Sequence, residues 1–386
     1  MNKSKSCAKL FVGLAGVGVF FGVITSEAKA DTGQGMEEVI VTATKRAESK
    51  QDIPIAISVL GRDEITNSRS NNIKDIVGLI PNMTFEAGNN SATADISIRG
   101  IYNQVQAGAI GYESGLSVYV DGVSTGNQFN ANQNLGEIER VEVLRGPQGT
   151  LFGKNSIAGA INVITKKPTN ELTGRVSVEL GDRSLEHFQG NLNIPFSDQL
   201  SLRISVGDRS KNGFVDNTTV GEVDYAGTID ETSGRVQLRW TPGDNTTIDL
   251  ASDYSEMDLI DYVYEYIEGS EQYAGLPPAG SPLTGMSFDG VKYTQANGFA
   301  NTTNKELFGS SLSIEHTLAN GFTITSLTGM RDDEMTFQAD IDGQSMTWMD
   351  GVFPMTSEQI TQELRIASPT DGAYDYIAGL YFFDSE

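Results

Sequence analysis

Few residues in this chain are placed to do chemistry, and their spacing decides against most of it. The run Gly146-Pro147-Gln148-Gly149-Thr150-Leu151-Phe152-Gly153-Lys154-Asn155-Ser156 suggests a phosphate loop. A Walker motif needs glycine five positions before Gly153, where Gln148 stands, and Ser or Thr after Lys154, where Asn155 stands. The two histidines, His187 and His316, lie in separate regions with no Cys or His neighbour to complete a metal set. No G-x-S-x-G, His–Cys pair or spaced carboxylate dyad stands out, so no enzyme, cofactor or metal site is expected. A binding role stays open for the stretch 259–304. There Tyr262, Tyr264 and Tyr266 interleave with Asp261, Glu265 and Glu268, and aromatic faces stack on sugars or aromatic chelators. A plain solvated loop is the alternative.

Charge separates the chain into two parts. Residues 1–171 carry a net −1, whereas residues 172–386 carry −23. The acidic part would repel phosphate, and no basic stripe with interleaved aromatics appears, so nucleic acid is not an expected partner. The one cysteine, Cys7, precludes an intramolecular disulfide. It lies in a basic start (Lys3, Lys5, Lys9) ahead of the apolar run Leu10–Ile24 and of Ala28-Lys29-Ala30. That order describes a secretory signal peptide over residues 1–30, with cleavage before Asp31.

The elements that would position any site begin with Glu37–Arg46. Its β-branched core, Val39-Ile40-Val41-Thr42, is bounded by charges and reads as an exposed strand seeking a sheet edge, or as the first strand of the folded domain. The polar stretch Lys45–Gln51 reads as a linker. Residues 52–168 read as one small α/β domain. Strands are expected at Ile53–Val59, Ile96–Ile98, Leu116–Val120 (turned by Asp121-Gly122), Val141–Leu144 and Ile161–Thr165. Short helices are expected at Asp63–Ser68 and Ile73–Leu79, the second capped by Asn71 or Asn72 and ended by Pro81.

The string Arg140-Val141-Glu142-Val143-Leu144-Arg145-Gly146-Pro147-Gln148-Gly149-Thr150-Leu151-Phe152-Gly153-Lys154-Asn155, followed by Gly159-Ala160-Ile161-Asn162-Val163-Ile164-Thr165-Lys166-Lys167-Pro168, resembles the end of the plug domain in TonB-dependent outer-membrane receptors. Asn71–Pro81, Ile96–Gly100 and Val118–Gly122 resemble that family's plug signature in the family's order, so the likeness covers 37–168. It implies that Glu38, Val39, Ile40, Val41, Thr42, Ala43 and Thr44 form the TonB box, which pairs in extended form with the periplasmic energy-coupling protein of the inner-membrane complex. It also implies that Arg99, Glu139, Arg140, Glu142 and Arg145 hold plug to barrel wall, or lie where transport could loosen them. A solvated charge face is the alternative for each.

From Leu172 the pattern turns to period two, as in Val176, Val178 and Leu180 against Arg175, Ser177 and Glu179. Nine strands are expected near 172–180, 185–196, 200–209, 231–241, 246–258, 305–319, 322–331, 356–368 and 374–386. After the tight Gly181–Ser184 turn, short and long links alternate, which is the habit of an outer-membrane barrel. His316 then falls on the apolar face near a short turn, as a membrane-interface residue. Lipid demands that every backbone polar group be paired, so such strands survive only in a closed ring. Nine cannot surround a plug, and about nine of an expected 22 are taken to be present, residues 172–386 being the first part of the barrel. The expected fold is thus a small α/β plug followed by an incomplete antiparallel transmembrane β-barrel. The expected role is TonB-dependent import across the bacterial outer membrane, with the box facing the periplasm. Iron chelates lead as the extracellular ligand, with glycans, cobalamin or other scarce nutrients as alternatives and outer-membrane lipid as the surroundings. From another class, the rivals are a passive porin or a surface adhesin.

Overall fold

The computed structural model describes residues 39–70, 72–85, 96–102, 114–126, 137–217, 222–261, 294–295, 301–340, 350–370, 372 and 374–386. The expected signal segment, residue Glu38 and the tyrosines Tyr262, Tyr264 and Tyr266 lie outside them.

In chain order the first part holds β1 (Ile40–Val41), β2 (Glu48–Ser49), β3 (Ile57–Gly61), α1 (Arg62–Asn67), α2 (Ile73–Ile76), β4 (Met83–Phe85), β5 (Ile96–Ile98), β6 (Ile101–Tyr102), β7 (Leu116–Val120), β8 (Val123–Ser124), β9 (Ile138–Arg145), α3 (Gly149–Phe152) and β10 (Gly159–Thr165). Strand β3 starts later than Ile53, because Pro54 has no N–H to give a ladder. The side chain of Asn72 caps α2 by accepting from the Asp75 N–H at 3.1 Å. The central sheet runs β3-β9-β10-β7-β8, with β10 parallel to β7. Asp121 (φ 51°) and Gly122 (φ 88°) close the β7–β8 hairpin in the left-handed turn that an Asp-Gly pair favours. One face of this sheet buries α1, α2 and β5 around Ile76, Ile98, Val143 and Ile161. The other buries Val41, Ala43, Ile57, Leu144 and Phe152.

The second part is a nine-stranded antiparallel wall. Its members are β11 (Thr173–Gly181), β12 (Leu185–Ser197), β13 (Leu200–Lys211), β16 (Thr228–Gly243), β17 (Thr246–Ile260), β19 (Thr302–Thr317), β20 (Thr323–Asp340), β21 (Asp350–Ala367) and β22 (Ile377–Ser385), each beside the next. Three short pieces, β14 (Val215–Asn217), β15 (Glu222–Ala226) and β18 (Thr294–Gln295), pair with one another among the long links. The nine strands match the nine expected from period two. Several run further at the long-link end, as β20 does to Asp340.

The wall is inside out relative to a water-soluble sandwich. Val178, Leu180, Phe188, Val236, Leu312 and Met330 lie exposed on its outer face. Ser201, Arg203, Ser205, Glu231, Arg235, Gln237, Arg331 and Thr361 alternate with the outward row and are buried on the plug side. His316 lies on the outer face, hydrogen-bonded through Nδ1 to Thr246 Oγ1 at 2.8 Å.

Candidate functional site

The N-terminal strand is docked on the plug rather than exposed. Strand β1 pairs with β2, Ile40 opposite Ser49 and Val41 opposite Glu48. Alternation then sends Val41 and Ala43 into the plug's second apolar cluster, while Ile40 stays exposed. Thr42 lies over a fully buried plug carboxylate, Glu142. Its N–H donates to Glu142 Oε1 at 2.9 Å and its hydroxyl donates to the same carboxylate at 3.2 Å. Arg140 Nε completes the clasp at 2.7 Å, and Asn162 Nδ2 reaches Glu142 Oε2 at 3.4 Å. Thr44 Oγ1 donates to Glu48 Oε2 at 2.5 Å.

The segment expected to be a free linker is held as well. The Lys45 ammonium lies 3.3 Å from Glu363 on β21 and over the rings of Tyr119 and Phe152, at 5.4 and 5.0 Å from their centroids. Burial pulls the Lys45 pKa down and the neighbouring Arg365 adds to that, against the opposing pull of Glu363. Arg46 Nη2 donates to the carbonyl of Tyr376 at 2.6 Å and to Ser368 Oγ at 3.4 Å. Charged residues in sequence look like solvated linker; here their long stems reach a polar wall and find acceptors.

Among the described residues, the five charges expected at the seam make their contacts within the first part of the chain. Glu142 and Arg140 form the Thr42 clasp. Arg145 Nη1 reaches the carbonyl of Pro81 at 3.5 Å, inside the plug. Arg99 is in the turn between β5 and β6 (φ 53°), with its guanidinium over Gly146. Glu139 faces Lys166. Among the described residues, the ion pairs from plug to wall are made by others. Glu137 pairs with Arg203 of β13, besides Arg62 and Lys166 of its own part. Asp121 pairs with Arg235 of β16 at 2.6 Å, and Arg235 continues to Asp253 at 2.5 Å. Arg69 pairs with Glu179 of β11 at 3.0 Å.

Asp121 is the most heavily satisfied of these. Besides Arg235 it meets Lys167 at 3.0 Å and accepts from the Thr165 N–H at 3.0 Å and hydroxyl at 2.6 Å. Burial alone would raise its pKa, but Lys167, Arg235 and the Thr165 bonds outweigh burial and hold it at about 2. Gln237 Nε2 donates to Thr165 Oγ1 at 2.6 Å, and Gln359 Nε2 to the Ser124 carbonyl at 3.0 Å. The seam is thus a set of charge-assisted and neutral hydrogen bonds, with the plug's apolar clusters drawn wholly from its own residues.

Residues 49–160 match a family model described as TonB-dependent Receptor Plug Domain. The pesticin receptor of Yersinia pestis is 30% identical over 222 residues, covering 56% of this chain and 32% of that protein. The vitamin B12 transporter BtuB of Vibrio vulnificus is 25% identical over 325 residues, covering 78% of this chain and 51% of the relative. Among solved structures, the ferric yersiniabactin uptake receptor FyuA of Yersinia pestis superposes with a TM-score of 0.71 at 22% identity, over 86% of this chain and 48% of the receptor. That likeness is one of fold. The chain spans about a third to a half of the length of these relatives.

Proposed function

From a chain whose residues 49–160 are the plug domain of a TonB-dependent receptor, we propose that the protein imports an iron chelate across the bacterial outer membrane. The outward row of Val, Leu, Phe and Met meets lipid, and the plug fills the polar side of the wall. Ligand binds at the long links and plug tips, where Tyr262, Tyr264 and Tyr266 are candidate contacts. The segment Glu38–Thr44 is the periplasmic handle, to which the energy-coupling protein of the inner-membrane complex adds a strand.

The observation that carries this reading is how few contacts hold the handle. Two ladder positions, the buried side chains of Val41 and Ala43, the Thr42–Glu142 clasp and the Lys45 and Arg46 contacts fix it at the short-link end of the wall. Each of these polar bonds can be exchanged for water at small net cost. A passive porin or an adhesin has no use for a detachable strand. Cobalamin uptake by the same mechanism is the second reading, favoured by the match to a vitamin B12 transporter over most of this chain.

Deletion of residues 38–44 tests the proposal. Uptake of the iron chelate is expected to stop while its binding at the cell surface persists; uptake that continues at the parent rate refutes active import.

A further inference from the structure

Between the plug and the last two wall strands lies a cavity of about 570 Å³, within the size range of small-molecule sites. Two rings line it from the plug, Tyr119 and Phe152, and two from β22, Tyr381 and Phe383. Three cations converge on it: Lys45, Lys154 and Arg365. Lys154 lies 4.8 Å over the Phe383 ring, and Arg365 Nη1 donates to Glu363 at 3.0 Å. Among the described residues Glu363 is the one carboxylate in the lining, so these walls of the cavity are cationic although the chain beyond residue 171 carries a net −23. It lies at the short-link end, beside the residue that directly follows Thr44, away from the long links where ligand enters.

We infer that this cavity is an exit-side station for an aromatic acid group of the cargo, a planar ring bearing a carboxylate. The inference rests on the import reading above and names the chemistry of what is carried. The ring packs among four aromatic side chains, which favour edge and offset contacts. The carboxylate is held by Arg365, whose fork suits a planar anion, and by Lys154. A carboxylate there also competes with Glu363 for the Lys45 ammonium, so filling the station loosens the segment behind the handle.

Benzoate titrated into the protein in detergent, followed by calorimetry, tests the station without coupling protein or transport. Binding is expected, with cyclohexanecarboxylate and benzyl alcohol each weaker, because one lacks the ring and the other the charge. The paired change Lys154→Gln with Arg365→Gln is expected to weaken benzoate by roughly 10–100-fold, the value of a charge-assisted bond. If that pair fails to fold, Tyr381→Leu carries the test, with weaker benzoate binding expected. Equal binding of benzoate and cyclohexanecarboxylate, or parent-like binding by the variants, overturns the station. Its failure leaves the import reading standing, since that reading turns on uptake after deletion of 38–44.

Discussion

Asp121 gives the sharpest test of how the plug is held. Its carboxyl sits at about 2 against an ordinary 3.8. With roughly 1.4 kcal/mol per pKa unit, the charged form contributes about 2.5 kcal/mol to the folded plug seated in the wall, relative to the unfolded chain, at neutral pH. The sign follows from the depressed value: the contribution is complete above pH 3.8 and is lost as pH falls through 3.8 towards 2. Asp121→Asn keeps the shape and removes the charge. It leaves Lys167 without this partner, while Arg235 keeps Asp253. The cost therefore falls at or below the lower end of the about 3–5 kcal/mol typical of a broken buried pair. For a small domain losing about 1–3 kcal/mol of stability per molar urea, the plug's midpoint drops by about 1–3 M.

The assay is urea unfolding of the plug within the wall, read by a fluorophore at Ile157→Cys, an exposed plug position. At pH 7 the Asn variant is expected to unfold at lower urea, and near pH 2 the two proteins are expected to converge. An unchanged midpoint at pH 7, or a difference that persists undiminished at pH 2, refutes the assignment of this energy to the ionised carboxyl.

Other outcomes follow from the same geometry. Glu142→Ala strips the acceptor from Thr42 and Arg140; at about 3 kcal/mol, tryptic cleavage after Lys45 and Arg46 is expected to speed up by about 100-fold, measured by mass spectrometry of the nicked chain. Because burial lowers the Lys45 pKa, the docked segment binds fewer protons than the free one, so docking is expected to strengthen as pH rises towards 10.5. A spin label at Val39→Cys reads this, and Lys45→Met should abolish the trend. A Cβ at Gly329 of β20 would overlap Val123 of the plug, so Gly329→Leu is expected to lower the plug's urea midpoint while the wall stays folded. Val236→Arg places a charge in the middle of the lipid-facing row of β16 and is expected to cost about 2–4 kcal/mol in refolding into lipid vesicles.

The wall was legible because period two survives wherever one face meets an apolar surround. It faded where β20 runs on to Asp340 and β21 starts at Asp350, ahead of the expected 356. Past the lipid a strand keeps its ladder but no longer needs an apolar side, so the alternation stops before the hydrogen bonds do. The plug's helices and its Asp-Gly turn were legible from local chemistry. The seam was not: Asp121 and Arg235 stand 114 positions apart, and each reads as turn chemistry or a wet face when taken alone. The same blindness made Lys45 and Arg46 look like linker.

An inside-out wall also dictates how its contents can move. A domain packed against ordinary core would bury apolar surface, and withdrawing it would cost about 25 cal/mol for every Å² exposed. Here the plug's apolar clusters are its own and the wall's outer apolar row points away from it, so apolar contact across the join is local, as where Gly122 and Val123 of the plug meet Leu327 and Gly329 of β20. Beside that contact, the two parts are joined by a seam of ion pairs and amide bonds, such as Glu137–Arg203, Asp121–Arg235 and Gln237–Thr165. Water that enters such a seam can satisfy both sides, so partial withdrawal of the plug exposes polar groups able to be solvated. The clasp on Thr42 follows the same rule at smaller scale: it is strong while dry and exchangeable once β1 begins to lift. A pull on β1 therefore meets its main resistance at Glu142 and Lys45, and the seam behind them gives way bond by bond.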